Sequence, residues 1–169
     1  CIRDRICPCP IKSNLVKIAG EAQHYCVNHK KCPPQILGRF KHFISRKAMN
    51  IDGFGIETIE RLIKINELKN FSDIYALSKQ KLISIDRMAE KSAQNLLTAI
   101  KNSISQPFHK VLFSLGIRHV GETVALNLVN NFKTIENLMN ADFDQIISVN
   151  EIGDKIAGSL IEYFDDVEN

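Results

Sequence analysis

Four versions of one fourteen-residue string constrain this chain more than any other feature. "NIDGFGIETIERLI" (50–63) is followed by "SIDRMAEKSAQNLL" (84–97), "GIRHVGETVALNLV" (116–129) and "SVNEIGDKIAGSLI" (148–161). Alignment brings Gly55, Ala89, Gly121 and Gly153 into register, at successive spacings of 34, 32 and 32 residues. Repetition at this period means that one supersecondary unit recurs and that the copies bury their apolar faces together. Each unit opens on an aliphatic residue (Ile51, Ile85, Ile117, Val149), and a bulky apolar residue precedes the small one (Phe54, Met88, Val120, Ile152). Four places after the small residue stands Ile59, Ala93, Ala125 or Ala157, and an apolar pair closes the unit: Leu62/Ile63, Leu96/Leu97, Leu128/Val129 or Leu160/Ile161. Apolar positions at i+4, i+7 and i+8 share one face of a helix. Every unit is therefore expected to be a tight turn feeding a helix.

The segments ahead of the turns carry the same period. "PQILGRFKHFI" aligns Ile36, Phe40 and Phe43, and "FHKVLFSL" aligns Phe108, Val111, Leu112 and Leu115. Helix, short turn, helix is the predicted unit. "FSDIYAL" follows the first copy and "FKTIENL" the third, both with an F-x-x-I-x-x-L pattern. Units one and two thus read as duplicated in units three and four.

Gly53-Phe54-Gly55 does not match a dinucleotide-binding fingerprint, because Thr58 stands where the third glycine belongs and no strand precedes it. No Gly-Lys-Ser/Thr phosphate loop occurs. Another chemistry fits a glycine turn at a helix start. The first N–H groups of a helix lack internal partners and lie at the positive end of the dipole. A turn without side chains lets a phosphate oxygen reach them, so such a unit can hold a nucleic-acid backbone without reading sequence. Glycine turns between helices are common where no phosphate binds; four aligned copies in one chain carry the argument. The candidate contacts are Gly53, Gly55 and Thr58 in unit one; Arg87, Ala89 and Lys91, with Ser92, in unit two; Arg118, His119, Gly121 and Thr123 in unit three; and Gly153 and Lys155 in unit four. His119 and Glu151 replace the first glycine. Unit four also carries Asp154 and is expected to bind phosphate most weakly, with a packing role.

Charge is unevenly spread. Residues 1–50 hold 10 Lys/Arg against Asp4 and Glu21, a balance of +8, whereas residues 51–169 hold 12 against 17 acids, a balance of −5. The basic end, with Arg39, Lys41, Arg46 and Lys47 on a candidate basic face, is the expected electrostatic landing site. The competing reading is an ordinary solvated charged face. No apolar run approaches 18 residues and the N-terminus does not resemble a signal peptide, so a cytoplasmic protein without a membrane span is expected.

All five cysteines lie in the first 32 residues. Cys7, Cys9, Cys26 and Cys32 form C-x-C, sixteen residues, then C-x5-C, with "LVKIAGEAQHYC" read as strand, Gly20 turn, strand. So short a segment cannot build its own core, and a tetrahedral thiolate site around Zn²⁺ would supply the stability. The usual pair spacing is C-x2-C, so Cys1, His24 or His29 are possible substitutes for one ligand. Disulfides are the alternative.

The strings "CPCP", "GEAQHYCVNHKKCPPQ", "HFISRKAMNIDGFG", "RMAEKSAQNLL" and "SLGIRHVGETVA" closely resemble the C-terminal half of bacterial NAD-dependent DNA ligases, from about Cys7 to Phe164. The resemblance implies a mainly α chain: a small N-terminal four-cysteine zinc-finger-like β-ribbon (1–34), then a domain of four helix-hairpin-helix motifs arranged as a duplicated pair (35–169), centred near 53–55, 87–89, 119–121 and 151–153. It implies a monomeric segment that grips duplex DNA around a nick, with adenylation and OB-fold domains before it and a BRCT domain after it. In the whole enzyme NAD and Mg²⁺ would be bound by those other parts. The family's adenylation motif K-x-D-G is missing here, since "NIDG" has Asn50 in the lysine's place. The chain is therefore expected to be inactive alone, with no catalytic residue assigned. Two rival readings are a non-catalytic helix-hairpin-helix module of another repair or recombination protein and a helical protein-interaction domain.

Overall fold

The computed structural model describes residues 5–17, 22–28, 31–85 and 88–166. The chain divides into two compact units, Cys1–Lys41 and His42–Asn169. Among the described residues the order is β1 (Leu15–Lys17), β2 (His24–Cys26), α1 (Pro33–Ile44), α2 (Ile56–Lys64), α3 (Ser72–Tyr75), α4 (Lys79–Ile83), α5 (Glu90–Ser103), α6 (Phe108–Ser114), α7 (Glu122–Phe132), α8 (Ile135–Met139), α9 (Phe143–Ile147) and α10 (Asp154–Asp165). The fold is mainly helical with one small ribbon, as the repeats and the cysteine segment predict.

In the first unit β1 and β2 pair antiparallel, Leu15 opposite Cys26, Val16 opposite Tyr25 and Lys17 opposite His24. The Gly20 turn expected between them lies outside the described residues. A bridge between Ile6 and Asn14 continues the ribbon toward the C-x-C segment.

The duplication is visible in the element order. α1 to α5 run long, long, short, short, long, and α6 to α10 repeat the sequence. The F-x-x-I-x-x-L segments become the short helices α3 and α8, whose Ile74 and Leu138 are buried. The aligned apolar columns form the interior. Ile51, Phe54, Ile59 and Leu62 of the first copy are buried, as are Ile117, Val120, Ala125 and Leu128 of the third and Val149, Ile152, Ala157 and Leu160 of the fourth. Unit two buries Ile85, Ala93 and Leu96, while Met88 is only half-buried. In the second half these residues join Leu112, Leu138 and Ile146 in one cluster. A fully enclosed leucine such as Leu128 or Leu160 contributes about 1.5–3 kcal/mol from burial. The closing member of each pair, Ile63, Leu97, Val129 or Ile161, sits half-buried at the margin.

The opening helices of the two halves meet at His42. Its ring nitrogen Nε2 lies 2.8 Å from the carbonyl oxygen of Phe113, and its ring stands edge-on to that of Phe113 at 4.7 Å. Gly116 faces it: φ is +68°, and a Cβ there would come within 3.4 Å of His42 Cδ2. A close approach and a left-handed backbone both call for glycine at this position.

Candidate nucleic-acid interface and metal centre

Three of the four hairpin turns share a backbone design among the described residues. Gly53 (φ +79°), His119 (φ +66°) and Glu151 (φ +64°) occupy the same column and are all left-handed. Arg87, the fourth member, lies outside the described residues. The turn geometry sets this conformation, so two units adopt it with side chains that dislike it. Two residues later the chain becomes extended at the residue that precedes the helix: Gly55 (φ −68°, ψ 154°), Ala89 (−71°, 152°), Gly121 (−85°, −179°) and Gly153 (−107°, 177°). Any residue adopts those angles. A Cβ added at Gly55, Gly121 or Gly153 would meet nothing within 4 Å. Neither conformation nor internal packing therefore asks for glycine at these three helix starts.

The helix openings are also bare. α2, α5, α7 and α10 have no side-chain cap hydrogen bond. The short connecting helices differ: Ser78 caps α4, Thr134 caps α8, and Asp142 caps α9 with Gln145 completing a reciprocal box. Capping side chains open three of the short helices, whereas α3 and α6, like the four repeat openings, have none.

Side chains near the openings divide by position. Gly53, Gly55, Ala89, Lys91, Arg118, His119, Gly121, Thr123, Gly153 and Lys155 are exposed, whereas Thr58 is half-buried. Of the candidate basic face, Lys41, Arg46 and Lys47 are exposed and Arg39 is half-buried. Lys47 Nζ lies 3.1 Å from Glu122 Oε2. An acid stands in the first helical turn of all four units, Glu57, Glu90, Glu122 and Asp154, so Asp154 by itself does not set unit four apart. The aligned column Glu90, Glu122, Asp154 carried this signal in the sequence. Glu90 pairs with Lys79 at 2.6 Å, and that hydrogen bond holds its carboxyl below the ordinary range. In unit four, Asn127 on α7 donates from Nδ2 to the Glu151 carboxylate at 3.1 Å, tying the turn to the preceding hairpin.

The cysteines form the second candidate site. The Sγ atoms of Cys7, Cys9 and Cys32, all buried, lie within 4.8 Å of one another. Cys7 and Cys32 are 3.9 Å apart, and half-buried Cys26 packs against the three. All four are free thiols in the structure. Local backbone geometry presents them. The Cys7 N–H donates to Ser13 C=O at 2.8 Å, and the Lys12 N–H donates to Cys9 C=O at 2.9 Å, with Lys12 left-handed (φ +50°). Cys32 stands at the mouth of α1, where its carbonyl accepts from the Gln35 and Ile36 N–H groups. Gln35 Nε2 donates to the Cys26 carbonyl at 3.0 Å. Burial pushes the Cys32 thiol up. Burial acts likewise on Cys9, but the Cys7 side chain and the backbone of Ile11 and Lys12 overcome it and bring Cys9 down to about 7. Three thiols this close could hold a metal ion. His24, at the start of β2, is exposed and outside the group; Cys1 and His29 lie outside the described residues.

No helix among the described residues is long and apolar enough to cross a membrane. Residues 110–169 match the helix-hairpin-helix motif family. Proteins named DNA ligase are similar along nearly the whole chain: that of Christiangramia forsetii is 50% identical over 92% of this chain. That of Flavobacterium psychrophilum is 49% identical over 95%, and that of Bacillus cytotoxicus 44% identical over 93%. In each case the chain spans 24% of the relative's length. At this identity across both cysteine segment and hairpins, the chain belongs to the DNA ligase family as a segment of it, with helix-hairpin-helix motifs in its helical part.

Proposed function

We propose that this chain is the DNA-gripping segment of an NAD-dependent DNA ligase, holding duplex around a nick through the sugar-phosphate backbone. The observation that carries the reading is the set of bare helix openings at Gly55, Ala89, Gly121 and Gly153, three of them glycines that nothing inside the protein requires. Main-chain N–H groups at a helix start bind phosphate without reading bases. Arg118, His119, Thr123, Lys91 and Lys155 stand exposed at the openings or within the first turn, where a phosphate oxygen or its neighbour would lie. Thr58, Arg87, Lys41 and Arg46 complete the proposed contact set. Chemistry is assigned to the rest of the enzyme: the adenylation and OB-fold domains before this segment would use NAD and Mg²⁺, and a BRCT domain would follow it. The segment's share is to hold the two ends in line, an entropic contribution. A cytoplasmic monomer is the expected form.

The metal proposed for the cysteine cluster is Zn²⁺ in a structural role. A tetrahedral zinc with Zn–S bonds near 2.3 Å places its sulfurs about 3.8 Å apart. The 3.9 Å between Cys7 and Cys32 fits that geometry, with Cys9 and Cys26 as the remaining donors.

Titration against nicked and intact duplex at several salt concentrations tests the grip. Log affinity is expected to fall linearly with log salt, at a slope of about −0.9 for each phosphate neutralised. A flat response would rule out the backbone grip and favour a protein partner.

A further inference from the structure

The ion pair between Lys47 and Glu122 joins two hairpins that are distant in sequence. Lys47 belongs to the turn between α1 and α2, and Glu122 is the first residue of α7, directly after Gly121. Their charged atoms are 3.1 Å apart. The contact is framed by the junction behind it, where His42 of α1 meets the Phe113 carbonyl and Gly116. Hairpins one and three therefore stand side by side, and one flexible lysine spans them.

We propose that this pair is an autoinhibitory latch on the duplex grip: Glu122 holds Lys47 as an internal counterion and keeps its ammonium off the DNA backbone. The inference rests on the phosphate-grip reading and specifies how that grip is limited. A carboxylate next to the bare opening of α7 occupies the neighbourhood of its N–H groups and repels phosphate. It also neutralises a lysine that would otherwise release a DNA counterion. Both side chains are exposed, 74% and 51%, so the pair is weak enough to open and is screened by salt. Lys79 and Glu90 form a similar pair, but there the lysine begins the helix just before the same turn. Lys47–Glu122 links hairpins from different halves, whereas Lys79–Glu90 and Lys81–Glu67 stay within the first half.

Duplex titrations over a range of salt, on the 169-residue chain and three variants, test the latch. Glu122→Gln is expected to tighten binding several-fold and to steepen the salt slope by about 0.9, the increment for one more phosphate neutralised. Lys47→Met alone is expected to leave the slope within error of the unmodified chain. Placed on Glu122→Gln, Lys47→Met is expected to return the slope to that of the unmodified chain and to remove the part of the affinity gain that Lys47 supplies, leaving only the gain from losing the Glu122 charge. Far-UV circular dichroism of each variant confirms folding, since both side chains lie on the surface. If Lys47→Met alone lowers the slope by about 0.9, Lys47 already contacts phosphate and the latch is overturned. An unchanged affinity for Glu122→Gln overturns it equally. A chain whose binding does not depend on salt in any variant instead sinks the underlying phosphate-grip reading.

Discussion

Gly53 and Gly55 are two residues apart and do different work. Gly53 is left-handed at φ +79°, a conformation that costs an L-residue roughly 1–2 kcal/mol, and more when the side chain is β-branched. Gly55 has ordinary extended angles and open space where a Cβ would go. Gly53→Val and Gly55→Val are both expected to weaken duplex binding, but only the first should lower the melting temperature appreciably. A hydrogen bond to a charged group is worth about 1.5–3 kcal/mol, so losing one phosphate contact means a roughly tenfold or greater loss of affinity. Thermal unfolding alongside duplex titration separates the effects, and a Gly55→Val chain that binds like its parent would exclude this turn from the interface. At this scale the sequence was partly readable. The glycines announced a special backbone, and the aligned columns announced which residues are buried. The left-handed His119 and Glu151 were not announced, because the turn imposes that geometry and the side chains merely tolerate it.

Helices long enough to show a full apolar stripe were legible, and short ones were not. α2, α5, α7 and α10 run 9, 14, 11 and 12 residues and display the i+4, i+7, i+8 face. α4 and α9 have five residues each, too few for a period to emerge, and their existence rests on end chemistry. The signal for α9 was available: Asp142 followed three places later by Gln145 is a capping-box signature. The Asp142 carboxylate accepts from the Gln145 N–H at 2.8 Å, and the Gln145 side chain accepts from the Asp142 N–H at 3.0 Å. A helix of five residues has little stability of its own and depends on such ends and on Ile146 beneath it. Asp142→Ala is accordingly expected to cost about 1 kcal/mol in chemical denaturation. Because α9 opens the fourth hairpin, hydrogen exchange should rise first in residues 143–147. Exchange unchanged there would mean that packing alone holds the helix.

Across the whole chain the hairpins and the proposed zinc site draw stability from different sources, and the two predict different responses to losing a metal. The helical unit is held by the repeated apolar columns, whose buried leucines and isoleucines need nothing else. Among the described residues of the ribbon, the buried cluster consists of Cys7, Cys9 and Cys32, with Leu15 and Cys26 packed against it. Burial on that scale does not offset the ordering of some thirty residues at about 1–2 kcal/mol each, and the zinc proposed for the sulfurs is the added source of stability that the following test addresses. The clustering of the cysteines in the sequence pointed to a shared site; which sulfurs come together depends on the Lys12 turn and the Cys32 helix mouth, which spacing alone does not specify. Treating the zinc-loaded chain with a chelator is expected to abolish amide protection in residues 5–17 and 22–28 and to leave the helical signal of residues 42–166 close to intact. Cys32→Ser should reproduce the effect, since it removes the most deeply buried of the sulfurs. The same loss is expected on acidification, because protons compete with the metal for thiolate sulfur. Hydrogen exchange followed by mass spectrometry, with metal counted by native mass spectrometry, reads both units at once. Protection of the ribbon that survives complete metal removal would show that the cysteine cluster is a packed thiol core and would end the structural-zinc assignment, while the grip proposed for the hairpins would stand or fall on its own salt titration.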